Sequence, residues 1–257
     1  MNRREFLAVG VSGTAGFGSV TSGMAGSDQG QREYFELRRY RTLNRAKTGV
    51  LGDFLRGVGI RAMNRIGIKP VGVFNVMYGE NQPTLYVLLV HQSLESVAQA
   101  SARLLEDAQF RKSDFVQRSS AEPGYVRCES SLMVAFKNMP KLAVPEKKSR
   151  IFELRTYESH SIKAAKKKIE MFNEGGEIAI FHKTGLQPVF FGETIIGPNL
   201  PNLTYMLVFD DLVHRDKQWD VFGSDPDWKK LRADPAYADT VSNITDIILR
   251  PMPYSQI

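Results

Sequence analysis

Along residues 33–41 apolar and polar side chains alternate: Phe35 and Leu37 fall on one side, Glu36, Arg38 and Tyr40 on the other. A two-residue period predicts a strand. The spacing then turns helical. Leu51, Phe54, Leu55, Val58, Ala62 and Ile66 recur every three or four residues and make one apolar stripe. Gly67 and Pro70 follow in the usual order of stop signals. Apolar runs at 71–78 and 84–91 flank the polar "GENQP" and predict a hairpin. A second helix is expected over 93–106, with Leu94, Val97, Ala98, Ser101 and Leu105 turned inward, then a last strand near 125–136.

The same pattern returns. "YFELRRY" at 34–40 reappears as "IFELRTY" at 151–157, and "GIKPV" at 67–71 as "GLQPV" at 185–189. "TLYVLLV" at 84–90 corresponds to "LTYMLVF" at 203–209, and "DAQFRK" at 107–112 to "DPDWKK" at 225–230. Four matches in one order at a nearly constant offset mean two similar units. In the second, Ile162, Ala165, Ile169, Phe172 and Ile180 form the stripe, Gly185 and Pro188 end it, 189–196 and 203–209 form the hairpin, and 243–250 closes the unit. Each unit reads β-α-β-β-α-β, the ferredoxin-like order. The predicted fold is therefore α+β: two tandem ferredoxin-like units, 33–137 and 150–257, joined by a Pro- and Lys-rich linker at 138–149. "TLYVLLV" is apolar on both faces, so its sheet needs cover beyond its own helices. Packing the units sheet to sheet within one chain supplies it; pairing between chains is the alternative.

Composition changes this picture little. Hydrophobic residues make up 42% and charged residues 24% of the 257, which suits a globular chain. A net charge of +6 is modest and fits a solvated basic surface. The cluster Lys163, Lys166, Lys167 and Lys168 is expected on such a face. The single cysteine, Cys128, allows no intramolecular disulfide and is expected to be a buried, inert thiol.

The first 25 residues read as an address. Arg3 and Arg4 precede Phe6, Leu7 and a weakly apolar, Gly-rich stretch, which resembles a twin-arginine export signal. Asn2 and Ala8 depart from its commonest form. Cleavage after Ala25 is expected, followed by a disordered stretch at 26–32. No transmembrane segment is expected in the mature chain, and the location implied is periplasmic or extracellular.

The strand "FELRTY", the step "GLQPV", "DPDWKKL" and the closing "ILRPMPYS" resemble the NIPSNAP family of the dimeric α+β barrel superfamily. The resemblance spans about residues 33–257 and is weaker in the first unit, where "DAQFRK" and "AFKNMP" replace the family's Asp-Pro-x-Trp and Arg-Pro patterns. It implies the barrel fold and hardly any activity. Relatives in the superfamily include haem-dependent peroxidases and monooxygenases.

Glu36, Arg38 and Tyr40, with Glu153, Arg155 and Tyr157, are candidate ligand-binding residues. Arg would take a carboxylate and Tyr would donate. The alternative is a pair of structural ion pairs, since buried charge must be matched. Of four histidines, none has metal-ligand spacing; His91 and His182 are the two to weigh as ligand or haem residues. "GVGIRA" at 57–62 fits part of a dinucleotide fingerprint but lies in a helix, so it is rejected. Trp219, Phe222 and Trp228 are expected as core anchors. The function expected is an exported protein that binds a small apolar or anionic ligand or a protein partner, with no metal, no nucleic acid and no cofactor. The alternatives are an oxidoreductase or monooxygenase, in one version with haem, and a structural protein of the envelope.

Overall fold

The computed structural model describes residues 31–79 and 82–257. The expected export signal at 1–25, and most of 26–32, lie outside the described residues. The first unit runs β1 (Tyr34–Arg41), α1 (Arg45–Phe54), a π-helical turn (Leu55–Gly59), α2 (Ile60–Arg65), β2 (Val71–Tyr78), β3 (Thr84–His91), α3 (Leu94–Glu106), α4 (Ala108–Arg111) and β4 (Arg127–Ala135). The second runs β5 (Ile151–Glu158), α5 (Ile162–Asn173), α6 (Glu177–Lys183), β6 (Gln187–Ile196), β7 (Asn202–Phe209), α7 (Leu212–Ser224), α8 (Pro226–Arg232) and β8 (Asn243–Pro251).

All strand pairs are antiparallel, and the order β1-β3-β2-β8-β5-β7-β6-β4 closes on itself. Each unit contributes four strands. The two sheets face each other, as the sequence predicts, and they also join at their edges, β2 to β8 and β4 to β6. Closure removes most of the sheet edge that could template aggregation.

The alternation in β1 decides what faces where. Phe35 and Leu37 point into the barrel with Phe74, Leu88, Met133, Phe152, Met206 and Leu249. Phe35 meets Phe190 at 4.9 Å between ring centroids, and Phe74 meets Phe152 at 5.0 Å. Side chains thus fill most of the interior, as expected for eight strands, leaving a pocket of about 130 Å3 beside Leu37, Tyr86, Leu154 and Ile247. Each fully buried Phe or Leu contributes roughly 1.5–3 kcal/mol of transfer free energy. Every residue of β3 and β7 is buried, because these strands have the barrel core on one face and helices on the other.

The helices form two outer layers, one per unit, over separate apolar clusters. Their starts are fixed by side-chain caps: Asn44 accepts from the Lys47 amide, Ser93 from Ser96, Ser161 from Ala164 and Asp211 from His214. Gly67 and Gly185 take φ of 88° and 86°, the left-handed stop expected of them.

Two helix faces differ from expectation. In α3 the buried positions are Ala100 and Leu104, whereas Leu94 and Leu105 are half exposed. The inward stripe is rotated by about one residue, to Ala100 and Leu104. Ile162 is exposed as the first residue of α5, where the chain is still turning off the sheet.

Candidate functional site

Opposite residues in an antiparallel pair share a face. In β1, Arg38 lies between Val87 of β3 and Ser130 of β4, and Tyr40 between Leu85 and Cys128. Since Phe35 and Leu37 fill the barrel, Glu36, Arg38 and Tyr40 point outward beneath the helices. The candidate site is therefore in the layer between sheet and helices, not inside the barrel.

Arg38 holds Glu36 bidentately, Nε to Oε1 at 2.7 Å and Nη2 to Oε2 at 3.0 Å. The Ser130 hydroxyl donates to Glu36 Oε1 at 2.8 Å, and His91 Nε2 lies 3.4 Å from Oε2. Burial alone would raise the Glu36 carboxyl. Hydrogen bonding from His91 and Arg38, with the guanidinium's charge, outweighs it and holds the group at about 2. Burial pushes the Tyr40 hydroxyl up to about 12.

Beyond Arg38 and Tyr40 opens a cleft of about 510 Å3. Its floor is Leu51, Leu55, Met63 and Leu104, and Phe54, Phe110, Phe115 and Tyr125 wall it. Phe54 stacks on Phe115 at 4.4 Å, and Tyr40 meets Tyr125 edge-on at 5.2 Å. The segment after α4 supplies Arg118, Ser119 and Ser120 at the rim. The π-helical turn begins at Leu55, directly in the floor; such turns often mark functional sites. A volume of this size, apolar with few polar groups, is typical of a small-molecule site.

The second unit repeats the strand and not the cleft. Glu153, fully buried, accepts from Arg155 Nη1 at 3.0 Å, Arg215 Nη2 at 2.5 Å and Trp219 Nε1 at 2.7 Å. Arg155 also contacts Asp246 at 3.1 Å and stacks 4.7 Å from the Trp219 ring. Tyr157 and Tyr205 share a hydrogen bond of 2.8 Å. Lys168, expected on a solvated face, is buried: its ammonium lies 2.8 Å from Glu177 Oε2 and 4.6 Å from the Phe172 ring. Burial pushes the Glu177 carboxyl up against the pull of Lys168. Trp219, Phe222 and Trp228 join this apolar cluster, as expected of core anchors.

The histidines are placed apart from the cleft. His91 is fully buried, with Nδ1 3.0 Å from the Ser96 hydroxyl and Nε2 beside Glu36. His182 is exposed near the end of α6. Neither belongs to the lining of the cleft. Among the described residues no group of His, Cys, Asp and Glu could hold a metal ion, and no helix is long and apolar enough to cross a membrane. Cys128, expected as buried, is exposed. The half of β4 that carries it pairs with β1 alone, β6 joining only from Leu132 onward, so its outer flank is open. Desolvation by its neighbours nonetheless pushes its thiol up.

Of the residues lining this cleft, sequence reasoning singled out Arg38 and Tyr40 but not Phe115, Arg118, Ser119 or Tyr125. They lie on irregular chain without periodicity. The signal available was "FVQRSSAEPGY", an arginine and two serines between aromatic residues.

Two ferredoxin-like units closed into one eight-stranded barrel define an α+β barrel of the dimeric type, held within a single chain. The chain belongs to the NIPSNAP family, whose sequence profile matches residues 35–140 and 152–256. Among solved structures, a candidate monooxygenase from Lactobacillus acidophilus NCFM is similar at 11% identity and a TM-score of 0.53, covering 86% of this chain and 94% of that one. A candidate monooxygenase from Fusobacterium nucleatum matches at 12% identity and TM-score 0.53, over 86% and 92%. An uncharacterized NIPSNAP-like domain protein from Burkholderia xenovorans is 23% identical over 42% of this chain and 89% of its own, with a TM-score of 0.37. At these identities the likeness is one of fold. No curated protein matches the chain.

Proposed function

We propose that this chain binds one small, largely apolar ligand, in the sheet–helix cleft of its first unit. The observation that carries the reading is the inequality of two equivalent places. Arg38 and Tyr40 face about 510 Å3 of open, aromatic-lined space, whereas Arg155 and Tyr157 are covered by Trp219, Tyr205 and the Lys168–Glu177 pair. The buried carboxylates of the second unit are paired within it, Glu153 with Arg155 and Arg215 and Glu177 with Lys168, as a structural half requires.

Binding is favoured over catalysis by the lining itself. It contains no carboxylate and no imidazole. Tyr40, held near 12, stays protonated at neutral pH and serves as a donor rather than a base. The oxygenase activity suggested for the structural neighbours concerns those proteins, and only the fold carries over.

Native mass spectrometry of protein purified from its own host, read with its absorption spectrum, tests the proposal. One colourless organic mass per chain is expected. A bare protein that also fails to take up apolar probes would refute ligand binding and favour a structural or partner-binding role. A haem-like band would move the reading to an oxidoreductase. We further propose that residues 1–25 direct export by the twin-arginine route. Arg3→Lys with Arg4→Lys should then leave full-length protein in the cytoplasm; unchanged processing would count against it.

A further inference from the structure

The two guanidinium groups at the cleft differ in what they have left to give. Arg38 spends Nε and Nη2 on Glu36, and its remaining charge faces Tyr40. The contacts of Arg118 are long: Nη1 is 3.4 Å from the Glu122 carbonyl and 3.6 Å from its exposed carboxylate, and the guanidinium lies 6.0 Å from the Phe115 ring centroid. Its Nε is buried and has no hydrogen-bond partner. Arg150, Arg155 and Arg215 also have a buried Nε without a hydrogen-bond partner, but Arg118 alone among them lines the cleft, where a ligand could satisfy it. The lining itself holds no acidic side chain, and the carboxylate nearest Arg118, that of Glu122, is exposed, so the buried edge of the guanidinium still faces an apolar cleft.

We propose that the cleft selects a carboxylate: an aromatic or aliphatic acid whose head group is held by Arg118, with its body against Phe54, Phe110 and Phe115. This rests on the ligand-binding reading above. A planar guanidinium edge matches a carboxylate in shape and donor spacing. Ser119 and Ser120, beside it at the rim, carry hydroxyls that can donate to the second oxygen. One guanidinium with a spare edge balances one negative charge. A phosphate monoester brings about 1.5 to 2 charges at neutral pH and would be poorly matched. Arg118 is then the residue that sets specificity, and Arg38 holds the strand and its carboxylate in place.

The test uses matched probes on the full folded protein: 4-phenylbutyrate and decanoate, each with its uncharged amide, and decyl phosphate. Binding is followed by calorimetry, with thermal unfolding as the fold control. Each acid should bind at least tenfold more tightly than its amide and than the phosphate. Arg118→Gln should abolish that preference while leaving amide affinity within about twofold and the unfolding temperature unchanged. Arg118→Lys should restore part of the preference. Equal affinity for acid and amide in the wild type, or a preference that survives Arg118→Gln, overturns the assignment and leaves apolar binding standing. Tighter binding of decyl phosphate would replace carboxylate by phosphate. Absence of saturable binding by every probe would overturn the cleft as a ligand site altogether.

Discussion

Arg38 and Arg155 stand at matching places in two copies of one strand, and their surroundings are opposed. Arg38 lies between Val87 and Ser130, Arg155 between Tyr205 and Asp246. At the same distance past the caps Ser93 and Asp211, α3 has Val97 and Ser101 where α7 has Arg215 and Trp219. Past the caps Asn44 and Ser161, Leu51 corresponds to Lys168, and the next helical segments open with Ile60 and Glu177. Arg215 and Trp219 reach Glu153 in the second copy, the first has Val97 and Ser101 at those positions, and beyond Arg38 a cleft stays open. The second has rings and charges, and the space is filled. Duplication lets one half remain scaffold while its twin is free to become a site.

The most severe way to probe this contrast is the buried pair. Glu177→Ala leaves the Lys168 ammonium in an apolar layer without its partner, at a cost of about 3–5 kcal/mol. Giving the second unit the first unit's residues, Lys168→Leu with Glu177→Ile, removes both charges together. That double variant should be near neutral or more stable by about 1–4 kcal/mol. Denaturant unfolding of the single and double variants decides it. Equal losses in both would show that the pair is no isolated electrostatic unit.

Trp219→Ser tests whether the filling residue is all that separates the two halves. It removes a half-buried ring and one of the three donors to Glu153. A loss of about 3 kcal/mol is expected, at the low end for a Trp truncation. If space is what makes a site, the variant should also bind a second equivalent of an apolar probe. Unchanged stoichiometry would mean that the first cleft depends on the 112–126 segment more than on the helix above the strand.

Acid should separate the halves by sign. Glu36 is held at about 2 in the fold, well below its ordinary value of 4.5. A depressed carboxyl contributes stability that is present above about pH 4.5 and lost as pH falls toward 2, worth about 3 kcal/mol. Glu177 is raised, so its contribution is present at low pH and is lost as pH rises through its folded value. Glu36→Gln should therefore flatten the acid limb of the stability curve between pH 4.5 and 2. A limb as steep as the wild type's would locate acid sensitivity elsewhere.

The elements were legible because their periods are local. Alternation in "YFELRRY" and stripes such as Leu51 to Ala62 are written in neighbouring residues, and so was the duplication. Which side of β1 faces the barrel was not, since Glu36 and Phe35 alternate identically under either choice; closure by β2–β8 and β4–β6 decides it. Lys168 looked solvent-facing because its partner Glu177 lies beyond a helix break. The cleft wall at Phe115, Arg118 and Tyr125 was invisible because irregular chain carries no period. The phase of α3 was misplaced because Ala100 gives a weak hydrophobic signal although it is buried.

The smallest contrast concerns how each unit interrupts its first helix. The first inserts the π-helical turn Leu55–Gly59, which keeps the chain helical while shifting the buried face from Leu51 and Leu55 to Ile60 and Met63. The second stops α5 and restarts α6 at Gly176, whose φ is 87°. Gly57 has no positive φ, and a Cβ there would meet nothing within 4 Å. Gly57→Ala should thus stabilise the protein by about 0.5–1 kcal/mol, by restricting the unfolded chain and favouring helix. Gly176→Ala also finds open space but forces a side chain into the left-handed region, and should cost about 1–2 kcal/mol. Thermal unfolding of the two variants should move in opposite directions. If Gly57→Ala destabilises instead, the π turn itself resists an added side chain, and its place in the cleft floor would then reflect backbone mobility rather than a fixed helical insertion.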